Sequence, residues 1–365
     1  MLFSGPARIF PTAIVCLSIL FGSSRITSGL AQGAPIVPTK ACWTYKTEES
    51  VVSVDADLSK VYVAKDHARL EALSASGGER VWSTDLGGEV VSNLVAGNNQ
   101  VFLVTQNDSG GRVVRSVSSA TGITNWTSNL GGSGSLFLGI VGKLLIAASS
   151  DGKIAAFETA DGMKRWLKDL GSRLSANPLY YSGDLLVGTI DKRIRIFSPA
   201  DGNEKLNIPT SGEPTALSAD GEDIYWGDAR GNLFAYNIEA EDYRWQLKYG
   251  GRITGIVNAD DGLIFASADN FIYMVSDRYG NLRWKRRLNN RISELTMWTP
   301  DYLLVLDASG ENVDVVDQKK GRLISQISPP SQQQFTLLPG ASGDHAMLVT
   351  PVSISSYRAG GCTQN

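Results

Sequence analysis

Apolar residues along this chain fall in short runs separated by turn pairs. The stretch "LLIAASSDGKIAAFETADGMKRWLKDL", Leu144 to Leu170, shows the pattern. Leu144 to Ala148 is a continuous apolar run, the mark of a buried strand. Asp151-Gly152 is a hairpin signal. Ile154, Ala156 and Glu158 then alternate, which predicts a strand with one buried face. Asp161-Gly162 turns again, and Lys164 to Leu170 makes a third strand. "ANPLYYSG", Ala176 to Gly183, supplies the corresponding first strand of the next unit. No segment carries a convincing amphipathic helical period, so each unit reads as four short strands.

The unit recurs. "SASGGERVWSTDLGG", "SATGITNWTSNLGG", "TADGMKRWLKDLG" and "DRYGNLRWKRRL" repeat a turn glycine followed four residues later by Trp. The equivalent positions are Trp43, Trp82, Trp126, Trp166, Leu206, Trp245, Trp284 and Ser325, spaced 39, 44, 40, 40, 39, 39 and 41 residues apart. Four-stranded units at this period stack radially as the blades of a β-propeller, because no blade can bury its own faces alone. Eight positions predict eight blades. The six tryptophans are expected to fill the gaps between twisted neighbours. Charges on the same strands, Lys164 and Arg165 or Arg283, Lys285, Arg286 and Arg287, are expected to guard an exposed sheet edge. The second cluster, the densest basic group in the chain with Arg291, is also a candidate docking patch for an acidic partner.

The two ends are complementary. "ACWTYKTEE", from Ala41, is an outer strand with no inner strands before it. "HAMLVTPVSISSYRAGG", His345 to Gly361, supplies inner strands and stops. Together they rebuild one blade, so the fold predicted is all-β, an eight-bladed propeller over residues 40–365 whose termini share a blade. The closure sets Cys42 and Cys362 at neighbouring ends of one hairpin. An oxidising compartment would join them, at a gain on the order of 5 kcal/mol at most; two free thiols are the other reading.

The first residues break the pattern. Arg8 precedes an apolar run, Ile14 to Phe21, and then "GSSRITSGLAQGA". This has the form of a secretory signal peptide over residues 1–31, with a linker over 32–39. The run is too short to span a bilayer. Cys16 lies inside it, behind Val15, and does not suit lipidation. Composition adds little: 38 Gly fit many tight turns, and a net charge of −3 favours neither nucleic acid nor an anionic membrane. His67 and His345 have no zinc-ligand spacing, and no P-loop or Gly-x-Ser-x-Gly elbow occurs. "NDS" at Asn107 and "NWT" at Asn125 are glycosylation sequons in a eukaryotic host. No catalytic, metal-binding or cofactor-binding residue is assigned.

The unit "A-D-G-x-x-x-W" with upstream "D-G-x-I-x-A" resembles the quinoprotein-type repeat. WD40 and kelch patterns do not match: the chain has no Trp-Asp and no Gly-His pair. Two branches of the resemblance carry different implications. Quinone-dependent alcohol dehydrogenases hold pyrroloquinoline quinone and calcium at the ring centre, with a catalytic Asp and commonly adjacent cysteines. This chain has no adjacent cysteines and no spacing long enough for pocket-building insertions, and Asp191 and Asp228 fall where hairpin turns want Asp. The other branch is the BamB family of envelope scaffolds, similar in blade number and mature length. That resemblance implies a non-enzymatic, exported, monomeric, periplasmic or envelope-associated scaffold without cofactor, whose protein partner is a β-barrel assembly component. It implies contact through "LGSRLSANP", Leu170 to Pro178, with Arg173 at the place of the family's loop arginine. The family's acidic residues in the next blade are not matched by "IPTSGEP", and a lipidation cysteine is lacking. A ligand-binding central channel is the alternative reading.

Overall fold

In the computed structural model, residues 40–310, 312–328, 336–339 and 345–362 are described; the predicted signal peptide and linker lie outside them. Eight separate antiparallel sheets follow one another along the chain. Numbered in chain order, blades 1 to 7 occupy residues 51–85, 89–130, 136–169, 179–209, 214–248, 253–287 and 292–327. Blade 8 combines residues 336–358 with Trp43–Lys46, which pairs with Ser353–Arg358. The termini therefore share a sheet, and Cys42 and Cys362 are disulfide-bonded with Cα atoms 5.2 Å apart, across 320 residues of sequence.

Each blade is a meander that runs outward from the ring axis. Blade 3 shows it: Leu136–Val141 innermost, then Leu144–Ser149, Lys153–Glu158 and Lys164–Asp169 at the rim. Antiparallel order sends the first and third turns of every blade to one face of the ring. The second turns and the blade-to-blade crossovers emerge on the other. We call these the turn face and the crossover face. Blade 2 departs from the rule, its inner strand being broken into Glu89–Val90 and Val95–Gly97. The only helical element among the described residues is a three-residue 3-10 turn, Asp66–Ala68.

The expected alternation in the third strand does not occur. Ile154 to Phe157 are buried one after another, as are Val61 to Ala64 and Leu145 to Ala148. A middle strand of a blade has a neighbouring blade against each face, so both of its faces are interior. Alternation is clearest in the outer strands, whose burial reads exposed–exposed–half–exposed–half–exposed in blades 1, 3 and 6.

Candidate partner-binding surface

The six tryptophans share one geometry. Trp43, Trp82, Trp126, Trp166, Trp245 and Trp284 each donate their indole N–H to a carbonyl at the third turn of the next blade. The acceptors are Ala75, Ser119, Thr159, Pro199, Asp277 and Gln318, at 2.6–3.0 Å. Each ring lies on that turn's glycine: Gly78, Gly122, Gly162, Gly202, Gly280 and Gly321, all with φ between 64° and 76°. A Cβ on Gly122 would stand 2.7 Å from the Trp82 ring, and one on Gly202 2.9 Å from that of Trp166. The glycine and the tryptophan four residues later thus serve opposite seams. The glycine seats the ring of the preceding blade, and the tryptophan reaches the following one. These residues hold the ring together and offer no free stacking face.

The basic cluster of blade 6 is divided by its strand. Arg283, Lys285 and Arg287 are exposed on one side. Arg286 shares the side of Trp284 and donates to the Gly321 carbonyl at 3.2 Å, inside the seam with blade 7. Lys285 stands over the Phe271 ring, 5.7 Å from its centroid. Only three of the four cations face solvent, on an outer edge.

Arg173 lies elsewhere, on the crossover face between blades 3 and 4. Its loop, residues 170–178, is the longest crossover among those described in full; the others run from three residues (86–88) to five (131–135). Backbone bonds pin it to both blades. Leu170 and Leu174 donate to Gly152 and Ser150 of blade 3, while Ser175 donates to Gly188 of blade 4 and Arg173 accepts from Ile190, at 2.9–3.1 Å. Gly152 is required for this, because a Cβ there would overlap the Ser172 carbonyl. Leu174 packs into the seam core, and the Arg173 side chain is left exposed. Beside it stand Ile190, 45 % exposed, and a paired group in which Arg195 contacts Asp191 at 2.8 Å and the Leu170 carbonyl at 3.1 Å. Burial works to raise the Asp191 pKa, but hydrogen bonds from Thr189 and Ser172 and the Arg195 charge outweigh it and hold the carboxyl low. Asp228 proves to be a turn residue, its carboxylate accepting from the backbone N–H of Arg230 and Asn232.

A cleft of about 580 Å³ opens between blades 7, 8, 1 and 2, lined by Val52, Val54, Asn93, Ser293, Asp307 and Pro351 among others. Among the described residues no group of three or more His, Cys, Asp or Glu could hold a metal ion. The crossovers described in full are too short to wall in a tricyclic quinone, and Cys42 and Cys362 are tied to each other at the rim. The residues present do not fit the quinone–calcium group.

One site escaped the sequence. Lys65 and Glu71, both buried, form an ion pair at 2.7 Å where blade 8 meets blade 1. Tyr45, on the outer strand of blade 8, donates to Glu71 at 2.5 Å and accepts from Lys65 at 3.0 Å. Lys65 at the end of "KVYVAK" and Glu71 inside "RLEALS" read as edge or solvent positions; only the neighbouring blade makes them interior.

Eight blades and Trp–Gly seats at six seams define a quinoprotein-type propeller. Residues 40–138, 109–228 and 204–338 match the family model of the outer membrane protein assembly factor BamB, and the chain belongs to that family. BamB of Shewanella oneidensis is 22% identical over 335 residues, covering 80% of this chain and 82% of that protein. BamB of Yersinia pestis is 23% identical over 302 residues, covering 81% and 68%. The crystal structure of BamB from Moraxella catarrhalis matches with a TM-score of 0.71 at 14% identity, over 89% of this chain and 100% of that one. A computationally designed protein, Ika8, matches with a TM-score of 0.74 at 13% identity. At such identities the structural likeness speaks for the fold alone.

Proposed function

We propose that the chain is an exported, non-enzymatic scaffold that assists assembly of outer-membrane β-barrel proteins by docking a component of that machinery. The observation that carries this is the loop of residues 170–178. It is the longest of the crossovers described in full, is fastened at its base to two blades, and presents Arg173 to solvent. A rigid ring with function carried on a loop is how propellers commonly work. Family membership supports the same reading, since the relatives are named as outer membrane protein assembly factors. No helix of the described residues is long and apolar enough to cross a membrane. Residues 1–31 are assigned as the export signal and 32–39 as the linker. The exposed cations Arg283, Lys285 and Arg287 are a secondary contact for an acidic surface.

The test is in-cell crosslinking with a photoreactive residue at position 177, exposed in the same loop, followed by mass spectrometry. A β-barrel assembly protein should be recovered, and Arg173→Glu should reduce its yield about tenfold, as loss of a central charged contact does. Recovery of no protein, with a quinone or calcium copurifying instead, overturns the reading.

A further inference from the structure

Every blade ends in an open edge, and most edges are guarded by charge. The outer strands carry Arg80 and Asp85 in blade 1, and Lys164, Arg165, Lys168 and Asp169 in blade 3. Blade 4 has Glu204 and Lys205, blade 5 Asp242, Arg244 and Lys248, blade 6 its four cations, and blade 8 Lys46. Such charges keep another chain from pairing with the free N–H and C=O groups. Blade 2 lacks them. Its outer strand, Thr124–Leu130, reads "TNWTSNL", without charge or proline, and at seven residues is as long as any outer strand in the ring. Blade 7 is also uncharged, but its strand Leu323–Ile327 is shorter, and Arg322 stands at its entry.

Nothing in the described residues covers the blade 2 edge. No strand pairs with its outer side. The crossover that follows, "GGSGS", residues 131–135, is exposed throughout and has no large side chain. The groove beside the edge is mixed, with exposed Leu167 standing between Arg165 and Asp169 on the blade 3 outer strand. Trp166 faces blade 4, where its N–H meets the Pro199 carbonyl, so the alternation of the strand turns Leu167 back toward blade 2. Leu167 is 60 % exposed there, with Met163 at 50 % and Ile123 at 68 % near the turns.

We propose that the outer edge of blade 2 takes up an extended polypeptide segment as a fifth strand. Its backbone would pair with Thr124–Leu130, and every second side chain would rest in the groove before Leu167. Main-chain pairing supplies affinity and the groove supplies side-chain preference, as in other cases of strand addition. Seven residues give a pairing length of about 23 Å. The occupant is an uncharged segment alternating polar and apolar residues, because Thr124–Leu130 offers no opposite charge to a charged one and Leu167 offers an apolar contact. That the natural source of such segments is an unfolded β-barrel protein rests on the assembly reading above; the edge itself does not.

The test uses a labelled ten-residue peptide of alternating Thr and Val with the full mature chain. Hydrogen exchange of amides in residues 124–130 should slow at least tenfold on adding peptide, with no change in residues 164–169 or 282–287. Asn129→Lys and, separately, Leu167→Lys should each weaken binding about tenfold while leaving the melting temperature within a few degrees. Unchanged exchange at 124–130, or protection centred on another blade, overturns the proposal. So does sedimentation as a dimer without peptide that Asn129→Lys abolishes, which would make the edge a contact between two copies. Crosslinking from position 177 is independent of each of these outcomes.

Discussion

The seam between blades 3 and 4 and the seam between blades 4 and 5 solve one packing problem with different atoms. In the first, Trp166 lies on Gly202 and donates to Pro199 at 2.8 Å. In the second, Leu206 stands where the tryptophan would be, and Glu241 where the glycine would be. Both members of the contact are gone together, although they sit in different repeats. The missing volume returns from the far side. Trp226, on the second strand of blade 5, occupies the place that Val187 holds in blade 4 and Ala147 in blade 3. It is fully buried, is stacked on Phe234 at 4.9 Å, and packs with Leu206 in one cluster. Unlike the Trp166 N–H, its indole N–H has no partner among the described residues. A seam therefore conserves filled volume, and the residue that fills it can move from one blade to the next.

Truncation should separate the two solutions most sharply. Trp166→Ala removes a ring and its hydrogen bond and should cost about 3–4 kcal/mol, whereas Leu206→Ala, already half replaced by Trp226, should cost about 2 kcal/mol. Urea denaturation of both variants measures this; equal losses would mean that the tryptophan seat is no special joint.

The turn positions should answer with opposite signs. Gly202→Val forces a branched side chain into φ 70° and against the Trp166 ring, at a cost of about 2–3 kcal/mol. Glu241 already sits at φ 51°, and the position that would seat a tryptophan on it holds Leu206. Glu241→Gly should therefore be neutral or raise stability by about 0.5–1 kcal/mol by relieving left-handed backbone. Calorimetric melting of the two proteins checks both signs.

The smallest effect is expected where the ring closes. Burial works to raise the Glu71 pKa, but hydrogen bonds from Lys65 and Tyr45 and the charges of Lys65 and Arg80 lower it below the ordinary value. A carboxyl depressed in the folded state adds stability that is complete above its unfolded pKa, about 4.5, and is lost as pH falls through the folded value. Stability should fall by about 1–2 kcal/mol on this account below pH 4.5, and the Glu71→Gln protein should lack that limb of the profile. Denaturant midpoints from pH 3 to 7 report it; identical acid limbs in the two proteins would remove the seam from the explanation.

Much of the molecule was written in one dimension. A position recurring every 39 to 44 residues, and filled by Trp in six of eight units, counted the blades, because a ring of equal units needs one joint per unit at a constant place. The half-blades at the two ends gave the closure, and with it the neighbourhood of Cys42 and Cys362, since an unpaired inner strand demands an outer one. Arg173 was pointed to by the family resemblance, and the structure sets it on a crossover. Packing between blades was not legible, because it joins residues of different repeats. The sequence marks Gly202 as a turn residue, but only the neighbouring blade makes it a seat. It marks Arg283 to Arg287 as one cluster, but the strand turns Arg286 into a seam and leaves the rest outside. It shows Lys65 and Glu71 as ordinary charges, and burial by blade 8 makes them a pair. Local periodicity determines which strands form and how many blades they make. What each side chain touches was decided when the ring closed, because each face of a blade is completed by atoms about forty residues away.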